Sequence, residues 1–283
     1  VQPVPLFVEL CAGTAAVSLR LQDGERKPPI SRTGGKAGFA DATLRVLGLA
    51  PGQQALRYVW AEPDASARLL LASYSRTELW AQAAEVLASW AQQPPRELWQ
   101  ALRAEGEPKA HTPRELARYV LAEGWHDRGM YRGPGASAVG TVAVTLPGLV
   151  KRLQVQHAAL PAEVHDDARS VPVRGGAVVY VDPPYAGTMG YAHDLPRAEV
   201  VQLALRWAAA GSTVAIAEAE PLPELLAAGW HAQELTWART GQARTYSAQK
   251  REFITCNVRP CHPGRPTRQV LPALAANRGR RVL

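Results

Sequence analysis

The run GGAVVYVDPPY, Gly175 to Tyr185, constrains the fold more than any other stretch of this chain. Val178 to Val181 are apolar without alternation, the pattern of a strand covered on both faces, as in parallel sheets. Similar runs occur in PLFVEL, in LRYVWAEPD from Leu56 to Ala61, and in STVAIAEAEP. PLFVELCAGTAAVSLRL turns at Ala12-Gly13-Thr14 and continues with helical spacing through Val17 and Leu21. DLPRAEVVQLALRWAAAG reads as a helix with Asp194 as N-cap, Pro196 in the first turn and Gly211 at its end. Strands alternating with helices give an α/β, doubly wound, mostly parallel sheet. HAQELTWARTG and QKREFITCNV follow as closing strands, readable as antiparallel.

Residues 75–150 break that rhythm with helical segments at Glu78–Ala91, Pro95–Ala104 and Pro113–Glu123. The last opens on Thr112 with Glu115 three residues on, the pattern of a capping box. Trp80, Trp90, Trp99 and Trp125 fall here at spacings that favour core packing over a base-stacking surface, and the glycine-rich RGPGASAVG reads as a loop. The division expected is a catalytic core of 1–74 and 151–258, a largely helical insertion at 75–150, and a basic tail at 259–283. That tail holds Arg259, Arg265, Arg268, Arg278, Arg280 and Arg281 and no acid. It reads equally as a flexible arm for phosphates or as a solvated terminus.

With 47% hydrophobic and 20% charged residues, the chain has the balance of a folded globular protein. A formal charge of +7 and a surplus of arginine, whose planar fork suits phosphate, point weakly to nucleic acid. No apolar run approaches a membrane span, and the first residues read as a strand and not as a signal peptide, so a cytoplasmic location is expected. Cys11, Cys256 and Cys261 make no disulfide framework, and Cys256-x4-Cys261-His262 lacks partners for zinc, so no metal is expected.

Ligands of open parallel sheets bind beyond the carboxyl ends of the strands, near the switch in strand order. Asp182 stands at such an end. Because it precedes Pro183 its backbone is extended, and two proline rings fix the carbonyls that follow. A carboxylate and a backbone carbonyl are thereby held side by side with the flat face of Tyr185 next to them. Two acceptors and a ring suit an aryl amine, and stacking a base on such a ring is worth roughly 1–3 kcal/mol. A base reaches a pocket of this kind only by leaving its stack. A proline-stiffened turn or a polyproline ligand is the plainer reading, but Tyr185 follows Pro184 directly, unlike a Pro-Pro-x-Tyr ligand, and the end of a buried strand is a poor place for an exposed ligand.

Asp-Pro-Pro-Tyr after an apolar strand resembles the catalytic motif of amino-group methyltransferases that use S-adenosylmethionine. FVELCAGTAAVSLRL is similar to the cofactor loop of Dam-type DNA adenine N6-methyltransferases, roughly E-P-F-x-G-x-G-A-V-x-L. Glu9, Gly13, Ala16, Val17 and Leu19 match; Cys11 replaces the Phe and Ala15 the second Gly. The resemblance implies a Rossmann-like class I methyltransferase fold, with Asp182, Pro183, Pro184 and Tyr185 as catalytic residues. It implies that Phe7, Glu9, Cys11, Ala12, Gly13 and Thr14 line the cofactor. Glu62, or failing it Asp64, would bind ribose hydroxyls, and Asp167 in preference to Asp166 would lie near the cofactor's adenine. KREFITCN resembles the family's closing strand. The family's Gly-Gly-Lys segment precedes its cofactor loop, whereas Gly34-Gly35-Lys36 follows it here. Lys36 either reaches the same crevice or belongs to a glycine turn before a surface helix.

The resemblance thus implies methyl transfer to the N6 amino group of adenine in double-stranded DNA. Asp182 and the Pro183 carbonyl would accept the two N–H bonds, Tyr185 would stack on the flipped base, and Tyr191 is a candidate second stacking residue. The alternatives are the same chemistry on RNA, at adenine N6 or guanine N2, or on cytosine N4 of DNA. A non-catalytic nucleic-acid-binding module is a further alternative, supported only by Ala15.

Overall fold

The central strands form where the apolar runs leave no polar face to solvate. In the computed structural model, which describes residues 4–30, 36–106, 110–129, 147–154, 159–160, 162–185, 193, 195–236 and 251–259, every residue of β1 (Phe7–Leu10) and β2 (Tyr58–Ala61) is buried. β4 (Val178–Val181) and β5 (Thr213–Glu218) continue the sheet. Seven strands lie in the order β3-β2-β1-β4-β5-β7-β6, with β3 at Ala162–His165, β6 at His231–Thr236 and β7 at Arg251–Cys256. The first five pair in parallel, and β7 runs antiparallel to both β5 and β6. This is the doubly wound, Rossmann-like order of the class I methyltransferase fold.

Strand alternation sorts the side chains into two cores. Phe7, Tyr58, Trp60, Tyr180, Ala215 and Ile254 face the helices α1 (Ala16–Gln22), α2 (Ala40–Val46) and α3 (Ala65–Ser73). Val8, Val59, Val179, Val214 and Ile216 face α8 (Arg197–Ala209) and α9 (Pro223–Ala227). The helices α4 (Thr77–Trp90), α5 (Pro95–Ala104) and α6 (Pro113–Gly129), with helical residues 147–154 (α7), join the first of these cores through Leu87, Leu98, Leu116 and Leu149. The helical stretch therefore shares its hydrophobic interior with the sheet. Trp80 and Trp90 are buried in it, as their spacing predicts.

Three local differences from the sequence reading have physical causes. β3 has no apolar run because it is an edge strand, half-buried throughout, whose Glu163 accepts from Arg174. Thr112 does cap α6, accepting from the Glu115 amide at 3.2 Å. The Glu115 carboxylate does not complete the box; it turns to Arg118 at 2.7 Å, and the helix runs past Glu123 to Gly129. Helix α8 starts at Arg197 with Pro196 at its cap and is followed by Gly211 at φ 81°, the left-handed stop expected of glycine. Asp194, Tyr191, Gly34, Gly35, the 132–140 loop, Cys261, His262, the tail from 260 on and the side chains of Trp99 and Trp125 lie outside the described residues. Among the described residues, no helix is long and apolar enough to cross a membrane, and no cluster of His, Cys, Asp and Glu could hold a metal.

Candidate active site

Three strand ends are tied together where the strand order reverses. The ladder continues past the strands: Asp182 N–H donates to Leu10 O at 3.1 Å, Ala12 N–H to Ala61 O at 2.9 Å, and Glu62 N–H to His165 O at 3.0 Å. The loop after β1, Glu62 after β2 and Asp182 after β4 therefore emerge side by side at the carboxyl edge of the sheet. Cys11, Gly13 and Ala15 all take left-handed φ, near 50–60°. For Cys11 and Ala15 that costs on the order of 1 kcal/mol each, which the fixed ladder on either side offsets. Gly13 has nothing within 4 Å of its missing side chain, so the loop is open on that side.

The donors and acids of this half fix each other. Gly13 N–H donates to Glu62 Oε2 at 2.7 Å, and Asp64 N–H reaches Glu62 Oε1 at 3.2 Å. Asp64 itself is spent on the fold: its side chain caps α3 by accepting from Ala67 N–H at 2.9 Å. Asp167 caps the 3-10 turn Ala168–Ser170 and is held below the usual carboxylate range by its bonds to Arg169, which also reaches Glu199. Phe7 is fully buried in the helix-facing core, edge-on to Tyr58, while Ala12 and Thr14 are buried in the loop. Cys11 is half-buried, and burial pushes its thiol well up.

Glu9 has a different place. α1 has no side-chain cap of its own, since its N-cap is Ala15. The Glu9 carboxylate reaches across from β1 and accepts from Ser18 N–H at 2.9 Å and from the Ser18 hydroxyl, which in turn accepts from Trp60 Nε1 at 2.9 Å. A carboxylate there satisfies the free amides and the positive end of the short helix. Burial nevertheless pushes Glu9 up to about 7. A carboxyl whose folded pKa is raised stabilises the fold fully below its ordinary value of 4.5, and that contribution is lost as pH rises through about 7. Glu9→Gln should therefore gain on the native protein by on the order of 1–3 kcal/mol between about pH 5 and about pH 8, read from urea unfolding at both.

The acceptor half is built around Asp182 and Tyr185, and a lysine joins them. Lys36 Nζ lies 2.9 Å from Asp182 Oδ1, 3.2 Å from Glu252 Oε1 and 2.6 Å from the Tyr185 hydroxyl. It is also 4.5 Å from the Tyr185 ring centroid. Alternation explains the meeting: Asp182 continues the face of Tyr180, and Glu252 sits two residues before Ile254, on that same face of β7. Burial works against the Lys36 ammonium, but two carboxylates outweigh it and its pKa is raised. Burial also pushes Asp182 up, to about 6, although Lys36 pulls the other way. A single ammonium thus serves two buried carboxylates, which holds its own proton tightly and only partly offsets the burial of Asp182. Glu218, at the end of β5, is pushed up to about 7 by burial, with Asp182 adding to it.

Sequence reasoning missed Glu252 and Glu218. Glu252 carried one signal, an acid on the buried face of a strand otherwise reading Phe-Ile-Thr-Cys, in a segment already matched to the family's closing strand. Glu218 carried none beyond its position at a strand end.

No family model and no curated protein matches the chain. Among solved structures, the chain is similar to the rRNA methyltransferase aviRa from Streptomyces viridochromogenes, in structures at 2.4 Å and 1.5 Å. Each is 16% identical over 92% of this chain and 77% of the other, with a TM-score of 0.33. A likeness that loose bears on neither substrate nor chemistry, which rest on the site itself.

The residues at this edge fit S-adenosylmethionine better than a dinucleotide. The first helix end of a dinucleotide-binding sheet takes a pyrophosphate. Here that end is filled by the protein's own Glu9, which would oppose a phosphate. An uncharged ribose and a cationic donor suit an edge where four carboxylates, Glu62, Asp182, Glu218 and Glu252, meet the one ammonium of Lys36 among the described residues.

Proposed function

We propose that this protein transfers a methyl group from S-adenosylmethionine to the N6 amino group of adenine in DNA. The observation that carries the reading is Asp182-Pro183-Pro184-Tyr185 at the switch point, with a mostly buried carboxylate and an aromatic ring facing the same crevice. The open loop at Gly13 and the carboxylate of Glu62 would hold the cofactor, with Asp167 near its adenine. Bound there, the cofactor supplies an electrophilic methyl on a cationic sulfonium, a leaving group that needs no acid.

The chain's own residues do the rest on the acceptor side. An exocyclic amine is a poor nucleophile because its lone pair is delocalised into the ring. Asp182 and the Pro183 carbonyl accept its two N–H bonds and draw the nitrogen toward tetrahedral geometry. The gain lies in orientation and in a preorganised field. Tyr185 holds the flipped ring in plane. The basic balance of the chain favours a polyanionic substrate outside this acidic crevice.

Nucleoside mass spectrometry of unmodified DNA and RNA incubated with the protein and labelled cofactor tests the substrate. Label in N6-methyladenine from DNA is expected. Label confined to RNA, or to cytosine, would replace adenine in DNA as the target, and no transfer to either polymer would remove the reading.

A further inference from the structure

Lys36 lies between α1 and α2, far along the chain from the strand ends it meets, and is 5% exposed. A buried ammonium is tolerated only when its donors are matched. It has three N–H bonds, and three acceptors surround it: Asp182 Oδ1, the Tyr185 hydroxyl and Glu252 Oε1. One cation thus touches both the carboxylate and the ring of the acceptor site, and a residue from another strand holds that cation in turn.

Resting on the reading of Asp182 as the amine acceptor, we propose that Lys36 and Glu252 are positioning residues. The Lys36 ammonium pins Asp182 Oδ1 and the Tyr185 hydroxyl together, leaving Oδ2 and the ring face for the target amine, and Glu252 anchors the ammonium. Neither residue touches the amine. They set the direction and the charge of the group that does.

The charge count gives the pair opposite effects. Asp182 is faced by Lys36 from the segment before α2, Glu252 from β7, Glu62 beyond β2, Glu9 and Cys11 on the β1 side, and Glu218 from β5, with the hydroxyls of Tyr180 and Tyr185 alongside. Lys36 is the one cation bonded to it among the described residues. Accepting N–H bonds at both positions needs the ionised carboxylate, so activity should fall on the acid side as Asp182 takes its proton, near pH 6 in the native protein. Removing the ammonium raises that pKa and removing the neighbouring carboxylate lowers it.

The experiment measures kcat against pH for the full chain and for K36M, K36R, E252Q and K36M/E252Q, on an adenine-containing DNA or RNA duplex. S-adenosylhomocysteine affinity is followed by calorimetry and folding by thermal unfolding. In K36M the acid limb should move up by about 1–3 pH units, with a ~10–100-fold loss at neutral pH, and K36R should recover part of it. In E252Q the limb should move down. The double variant, with the net charge of the native cluster, should return the limb toward its native position while kcat stays ~10-fold low, because nothing then aims Asp182. It also carries the test if K36M alone does not fold.

Limbs that do not move, or that move the same way in K36M and E252Q, would overturn the proposal. So would a loss of S-adenosylhomocysteine affinity in K36M matching the loss of kcat, which would assign Lys36 to the cofactor. Full activity in Asp182→Ala would instead remove the acceptor reading, whatever Lys36 does.

Discussion

Asp182→Ala should lower the methyl-transfer rate by roughly 10³-fold while S-adenosylmethionine binds within about threefold of its native affinity. The carboxylate is the acceptor that the two prolines aim, and its loss removes one of the two bonds that orient the amine. Lys36 remains anchored by Glu252 and Tyr185, so the fold around the deletion keeps its charge partner. Asp182→Asn should lose nearly as much, because its amide oxygen must face the Lys36 ammonium and its NH2 group, a donor, then faces the target amine. Single-turnover rates with calorimetric cofactor affinities check both. A variant that loses cofactor binding in step with rate would move Asp182 from the acceptor half to the donor half.

Trp60→Ala is expected to destabilise the protein by ~3–5 kcal/mol. Trp60 is wholly buried at the centre of the helix-facing core, edge-on to Tyr74 at 5.8 Å, and Tyr74 stacks on Trp80 at 5.4 Å. Its indole N–H also donates to Ser18, the residue that binds Glu9. The truncation leaves a cavity between β2 and α1 and takes a donor from the network that caps that helix. Trp60→Phe keeps most of the packing and should cost about 1 kcal/mol for the lost hydrogen bond. Denaturant midpoints of the two variants separate volume from bonding; equal losses would mean that the cavity refills by collapse.

The parts of this architecture legible in the sequence are those where one signal acted alone. β1, β2, β4 and β5 announce themselves by apolar runs because both faces of a central strand are dry. The adjacency of β1 and β4, on which the union of Gly13 and Asp182 depends, is not written in the runs themselves; the pairing of Leu10 with Val181 establishes it. β3 was hidden because an edge strand with half-wet side chains has no periodicity to detect. For Lys36 the sequence leaves open the crevice or a glycine turn before a surface helix, and its partners are not legible there. Glu252 lies far along the chain, and only the register of β7 against β5 brings its side chain to the ammonium. Glu9 was assigned to the cofactor from a motif, whereas its carboxylate is engaged by Ser18, a bond that depends on how closely α1 docks over β1.

The reversed direction of β7 has a consequence for how such a site can change over generations. Parallel strands offer this edge only their last residues, but β7 offers its first ones, so Glu252 enters the crevice at a strand's beginning. Thr236 and Arg251 face each other at the same rim. Were β7 to run the other way, Glu252 would stand at the opposite end of its strand and Lys36 would lose its second carboxylate, so descendants keep this charge cluster only by keeping the antiparallel direction of one strand.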